Sequence, residues 1–536
     1  MKKPSLLLFV FALFFRAFAQ AQTQTIEVSG EYFGHVLWDA DTVRLMGDVV
    51  IEPEEGSRAC LTIERGTCVI AEGYYRITVH NGSFYALGAD KYPVTFTARD
   101  ITDFENADFV SGWRGIHVIS DHSNSQDSVV MEYCKLSYGK VLNSASGEEQ
   151  KGAGLYVTNK KYCYFAHSDF DHNHAYKNGQ YLSPGNGGGA MFVSEPGTFL
   201  VEHCVFHDNY ACWGASILVG GLRYLTVRNC EFYNNTGRYG TAIDMHLGEV
   251  SWNASGPQVY NNYIHGNHGN AAYLGWDVSV GRFHDNIIVN NEGLSPVIGS
   301  SAPNYSHYYN NTIANNESEG FLHGRGSGIW TCGQQKIYNN IFYGNTGVFF
   351  ERMDPNHDDP TAFNNCHAFP NGVIGDDDVY ANPQFVQPTA GLGPIYDHST
   401  MASHWELLET SPCRDAGATN MSQYYPETDF FGNPRVVYGR IDIGAIEFPD
   451  LDAVEELTAH SCIYPNPGRN ELHVETELEN AIMTVCDLSG RKIVEQKIDG
   501  GSTNIVTDNW PSGMYFWRIV STDSKSFVET GKWIKE

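Results

Sequence analysis

Cationic side chains are scarce in this chain: 34 Lys and Arg stand against 63 Asp and Glu over 536 residues, a formal charge of −29. A surface of that sign repels phosphate backbones and anionic membranes, which excludes nucleic acid as a partner and disfavours unbridged polyanionic glycans. Long apolar runs are missing after the first residues. No later stretch approaches the ~18 apolar residues of a membrane span, so no transmembrane segment is expected in the mature chain. HExxH and CxxC spacings do not occur among the 21 His and 12 Cys, so the zinc and redox chemistries those spacings carry have no support. Helical periodicity is absent from the middle of the chain, which leaves short strands and turns.

What fills the middle is a repeat. From Cys134 to Cys366 one phrase recurs, ending each time in Asn: Ser168-Asp-Phe170-Asp-His-Asn173, Cys204-Val-Phe206-His-Asp-Asn209, Cys230-Glu-Phe232-Tyr-Asn-Asn235, and onward through Asn267, Asn291, Asn316 and Asn345. The steps between these Asn residues are 36, 26, 32, 24, 25 and 29. A fixed core with additions of different size marks stacked units carrying loops. A second phrase lies between the first ones: Gly152-Ala-Gly-Leu155, Gly188-Gly-Ala-Met191, Gly214-Ala-Ser-Ile217 and Gly240-Thr-Ala-Ile243. Alternation along a strand points Leu155, Met191, Ile217 and Ile243 the same way, as one core column. Asn suits the left-handed turn between strands, and stacked Asn side chains can hydrogen-bond from coil to coil. Cys134, Cys204 and Cys230 share a repeat position with Ser168, Asn262 and Asn286, which favours stacked buried thiols over a disulfide framework. The pairs Cys60/Cys68 and Cys366/Cys413 are the better bridge candidates.

These phrases resemble the right-handed parallel β-helix family of the pectate-lyase-like superfamily. The resemblance implies an all-β fold, a right-handed parallel β-helix solenoid over most of residues 43–448. Segments before the repeat, Gly82-Ser-Phe-Tyr-Ala-Leu-Gly88, Pro93-Val-Thr-Phe96 and Trp113-Arg-Gly-Ile116, are similar to opening coils of bacterial members. Asn382-Pro-Gln-Phe385, Ser411-Pro-Cys-Arg-Asp-Ala-Gly417, Asp429–Arg435 and Ile441–Glu447 resemble their closing segment. Asp415, Asp429, Arg435, Asp442 and Glu447 of that segment are expected to satisfy buried turn groups. The catalytic motifs of polygalacturonase-like enzymes and of the best-known pectate lyases are absent, and fold alone does not fix function.

Met1-Lys-Lys3, the apolar run Ser5–Phe15 and the small residues around Ala17 and Ala19 read as a signal peptide over residues 1–21. The β-helix, with an N-terminal cap and closing segment, is expected over 22–448, and an acidic linker over 449–461. The remainder, 462–536, carries Tyr464-Pro-Asn-Pro467, Asp487-Leu-Ser-Gly-Arg491, Pro511-Ser-Gly-Met-Tyr515 and a basic end at Lys532-Trp-Ile-Lys535. In order and spacing these resemble the sorting domain of the type IX secretion system, built as a small β-sandwich. The resemblance implies delivery to the cell surface or medium and the type IX machinery as a partner.

For the site, two coils are lengthened at one corner, by 139–151 and by 177–187, and adjacent long loops build a wall. Beside it an outward column is read as Tyr156, Phe192, Leu218, Asp244 and Tyr273, with His246 and Gly275 in a companion column. Tyr156, Phe192 and Tyr273 are the expected ligand-binding rings for a polysaccharide or surface ligand; alternatively, the rings stack on each other under the loops. Asp244 and His246 are the expected catalytic pair, the carboxylate orienting an imidazole base. A second column, Asp171, His207, Tyr233 and His265, flanked by His172, His203 and Asp208, could ligate a transition metal or, through its carboxylates, Ca²⁺; the alternative is a solvated polar face. The acidic runs Asp354–Asp359 and Asp376–Asp378 offer Ca²⁺ ligands or solvated loops. The expected function is an exported β-helix protein that binds glycan or another extracellular ligand; the alternative is a polysaccharide lyase or glycoside hydrolase with its cleft beside loop 177–187.

Overall fold

A computed structural model describes residues 24–535 apart from 122–125, 143, 146, 177–186, 222–223, 247–255, 271–272, 277–279, 294–297, 301–304, 319–327, 332–333, 347–349, 353–359, 368–374, 389–400, 450–460, 477–479, 488–490, 499 and 522–527. The signal peptide, most of loop 177–187, the run at 354–359 and most of the linker therefore lie outside the described residues. The chain divides into two compact units, Met1–Pro449 and Asp450–Glu536.

In the first unit the strands pair parallel, each with its equivalent one coil on, as in a right-handed β-helix. One complete coil shows the plan: Leu155–Thr158 on a first face, Tyr162–Ala166 on a second, Asp169–Asp171 on a third and the short His174–Ala175 on a fourth. The next coil repeats it with Met191–Ser194, Thr198–Glu202, Val205–His207 and Tyr210–Trp213. Among the described residues the second face runs through twelve strands and the fourth through seven. Leu155 pairs with Met191, Met191 with Ile217 and Ile217 with Ile243, and all four side chains are fully buried. Phe170, Phe206 and Phe232 stack inside from the third face at 4.9 Å. Stacking identical positions removes a continuous apolar column from water, a burial no single coil achieves alone.

The repeated Asn residues are not themselves the left-handed turn residues. Positive φ falls one position earlier, at His172, Asp208, Asn234, Asn290 and Asn315. The Asn that follows is tied inward: Asn235 Nδ2 donates to Phe206 O, to Tyr233 O and to Asn267 Oδ1, while its own Oδ1 accepts from Asn209 N–H and Nδ2. This ladder runs unbroken from Asn173 to Asn345. A parallel one takes over from the thiols at Asn262 and continues to Asn365. The buried turn backbone thus finds partners in side chains.

The closing segment does more than cap the last coil. It lies back along the outside of the solenoid, where Phe385, Trp405, Leu407, Ile443 and Ala445 pack on the outward residues Tyr263, Ile287, Val289, Ala314 and Ile341 of the third face. On the second face, Met421 and Tyr425 cover Tyr309 and Tyr338. Arg435, wholly buried, pairs with Asp285 and Glu447 at 3.2 Å and donates to Gly444 O. Asp429 accepts from the N–H groups of Phe431, Asn433 and Glu447, and Asp442 from those of Asp415 and Phe448. Burial pushes the Glu447 carboxyl up to about 9 against the pull of Arg435.

The second unit is antiparallel. One sheet holds Cys462–Tyr464, Glu471–Thr476 and Gly501–Val506; the other holds Lys492–Ile498, Ala481–Asp487, Gly513–Ser521 and Val528–Lys535. Leu472, Val474, Met483, Val485, Ile519 and Trp533 form its core.

Candidate functional site

The first face corrects the expected column. Tyr156, Phe192, Leu218 and Asp244 are in register, but the next position belongs to Leu274, and Tyr273 pairs with Ile243 on the core column. His246 pairs with Trp276 rather than Gly275. In this coil the glycine of the second phrase is missing, so the reading slipped by one residue, and a slip of one exchanges the two faces of a strand. Tyr156 and Phe192 do come together, but as a covered pair: their exposures are 5% and 8%, and they stack at 5.4 Å and 9° within an apolar cluster with Trp213 and Leu218. Rings stacked from coil to coil face each other along the axis and offer only edges outward. Asp244 is fully buried; the side chains of His246 and Tyr273 lie outside the described residues.

The third face carries the second column in register, Ser137, Asp171, His207, Tyr233 and His265. Beside it runs Lys135, Asp169, Val205, Glu231 and Tyr263. Lys135 Nζ lies 3.1 Å from Asp169 Oδ2 and 3.0 Å from Asp171 Oδ2. Asp171 also accepts from Ser137 Oγ at 2.6 Å and meets His172 Nδ1 at 2.8 Å. His207 stands between two carboxylates, with Nε2 3.1 Å from Asp169 and Nδ1 2.6 Å from Asp208. Burial pulls the His207 imidazole down, but the hydrogen bonds it donates to Asp169 and Asp208 prevail and hold its pKa up at about 9. Burial likewise opposes, and the two carboxylates outweigh it, in raising the Lys135 ammonium. Tyr233 stacks on His207 at 4.8 Å, and His265 follows it at 5.4 Å.

Asp169, Asp171 and His207 present ligand atoms within 4.8 Å of one another. These donors do not suit a metal as they stand. Both His207 nitrogens face carboxylates as an imidazolium, and the Lys135 ammonium sits between the two Asp residues; an incoming cation would have to displace both. Of the acidic run at 376–378, Asp378 accepts from Asn365 N–H and Gly375 N–H and meets His367 at 3.0 Å, a turn-binding role.

Farther along the same face the outward column, mainly charged at Lys135, Asp169 and Glu231, becomes mainly apolar at Tyr263, Ile287 and Ile341, where the closing segment lies on it. At that step a groove of about 390 Å³ opens. Its floor is Val205, Glu231 and Tyr263, its rim His203, Asn229 and Asn261, and its far wall Ala402 and Phe430 of the closing segment. Glu231 Oε1 lies 2.8 Å from His265 Nε2. His203 stacks on His167 at 4.9 Å, and burial with the neighbouring imidazole pulls its pKa down. Lys135, Asp169, Glu231, Tyr263 and the wall were not singled out from sequence; the polar-to-apolar switch in the repeat's outward positions was the signal that could have found them.

A family model described as a right-handed beta helix region matches residues 94–249 and 184–346, and one described as a secretion system C-terminal sorting domain matches 462–536. The chain is a right-handed β-helix protein with a type IX sorting tail. The tail directs this β-helix protein through the type IX system to the cell surface or medium. No curated protein and no solved structure matches the chain.

Proposed function

We propose that this exported β-helix protein binds an extracellular glycan, holding one or two uncharged sugar units in the groove under its closing segment. The observation that carries the reading is the groove itself, lined by the apolar Val205, Ala402 and Phe430 together with a few polar groups, Glu231, His203 and Asn229. Sugar C–H faces suit Phe430, whose ring is only partly buried, and hydroxyls suit the polar rim. The net charge of −29 favours a neutral or basic ligand over a uronate polymer. One observation favours a second reading as a polysaccharide-degrading enzyme: Glu231 orients the His265 imidazole at 2.8 Å beside the groove, the arrangement of a carboxylate-supported base.

A panel of neutral, amino and acidic glycans tests both. Retention of a neutral or basic glycan without new reducing or unsaturated ends supports binding, and such ends support the enzyme. Phe430→Ala and Glu231→Gln should each weaken retention several-fold, as the loss of about 1 kcal/mol implies. Retention of nothing, or of acidic polymers alone, contradicts the proposal.

A further inference from the structure

Cys366 opens the last strand of the third face, Cys366–His367, and Cys413 lies in the closing segment. Both are completely buried as free thiols in one apolar cluster with Trp405, Leu407 and Ile443; Cys366 Sγ donates to Ala381 O at 3.5 Å, and Cys366 is near enough to Cys413 to raise its pKa. Their backbones are fixed on both sides. Cys366 N–H donates to Asn340 O at 2.8 Å, Cys413 N–H donates to Ser411 Oγ at 3.1 Å, and Cys413 O accepts from Ile443 N–H at 2.9 Å. We propose that in the exported protein Cys366 and Cys413 are closed as a disulfide that ties the closing segment, and with it the far wall of the groove, to the last coil.

Export takes the chain to a compartment in which such bonds persist. In the step itself each thiol gives up its proton, the two sulfurs bond, and two electrons pass to the disulfide of an envelope thiol–disulfide oxidant, which leaves as a dithiol. The neighbouring Cys366 thiol and burial together push the Cys413 thiol's pKa up once packed, so the exchange takes place before the closing segment is fully seated. A second pair in contact, Cys204 and Cys230, is less suited. These occupy equivalent positions on adjacent coils, where side chains run parallel at the strand spacing of ~4.8 Å against the ~3.8 Å between Cβ atoms of a disulfide. Cys413 enters from outside the stack and is not bound to that spacing.

The test is peptide mapping of the full-length protein from the exported fraction, denatured in an alkylating agent without reductant. A linked Cys366–Cys413 peptide is expected, with Cys134, Cys204 and Cys230 alkylated. Reduction should lower the Tm by several degrees, and Cys413→Ser, with an unchanged circular dichroism spectrum, should lose the reductant sensitivity. Alkylated Cys366 and Cys413, or a Cys204–Cys230 link in their place, would overturn the proposal.

Discussion

His207 sits where two adjacent coils bring Asp169, Asp171 and Asp208 together, and its chemistry is set by that neighbourhood. Its pKa in the folded chain, about 9, lies above the ordinary 6.5. The stabilisation it contributes is therefore complete below 6.5 and lost as pH rises through about 9. Urea midpoints of His207→Gln against the parent should differ most in mildly acid buffer and converge above about pH 9; a gap that widens with pH would contradict the paired imidazolium. Phe192 yields a second expectation. Because the ring is packed between Tyr156 and Leu218, Phe192→Ala should cost about 3 kcal/mol in urea unfolding, and a change below about 0.5 kcal/mol would mean the ring is not buried. At this scale the sequence showed that Asp171, His207, Tyr233 and His265 share a column. It did not show that Tyr156 and Phe192 are covered, because outward on a strand means exposed only where nothing packs against that face.

The elements owe their uniformity to the Asn ladders. Asn235→Ala would remove the side-chain partner of Phe206 O, of the Asn209 N–H and of one Asn209 Nδ2 hydrogen in a dry interior, Nδ2 keeping Phe170 O. Each buried orphan costs roughly 1–3 kcal/mol, so a loss of about 3 kcal/mol or more is expected on urea unfolding, and a neutral substitution would refute the ladder as a stabilising device. The phrase spacing made coil length, core column and ladder legible, since each depends on residues repeated at short range. The placement of the closing segment was not legible in the same way: its contacts with Tyr263, Ile287 and Ile341 join residues roughly a hundred apart and follow no period.

For the whole molecule, the two units have separate cores and separate tasks. A chain ending at residue 449 should retain the circular dichroism and unfolding midpoint of the β-helix yet fail to reach the cell surface, and normal surface delivery would contradict the role of the tail. The claim that joins fold to function is that the third face, not the first, holds the ligand. Hydrogen exchange of the intact protein with and without a glycan retained in the panel tests it most directly. Protection should appear at residues 203–207, 229–233, 261–265, 402–405 and 430; protection confined to 155–158, 191–194 and 243–246 would place the ligand on the other face and contradict the account.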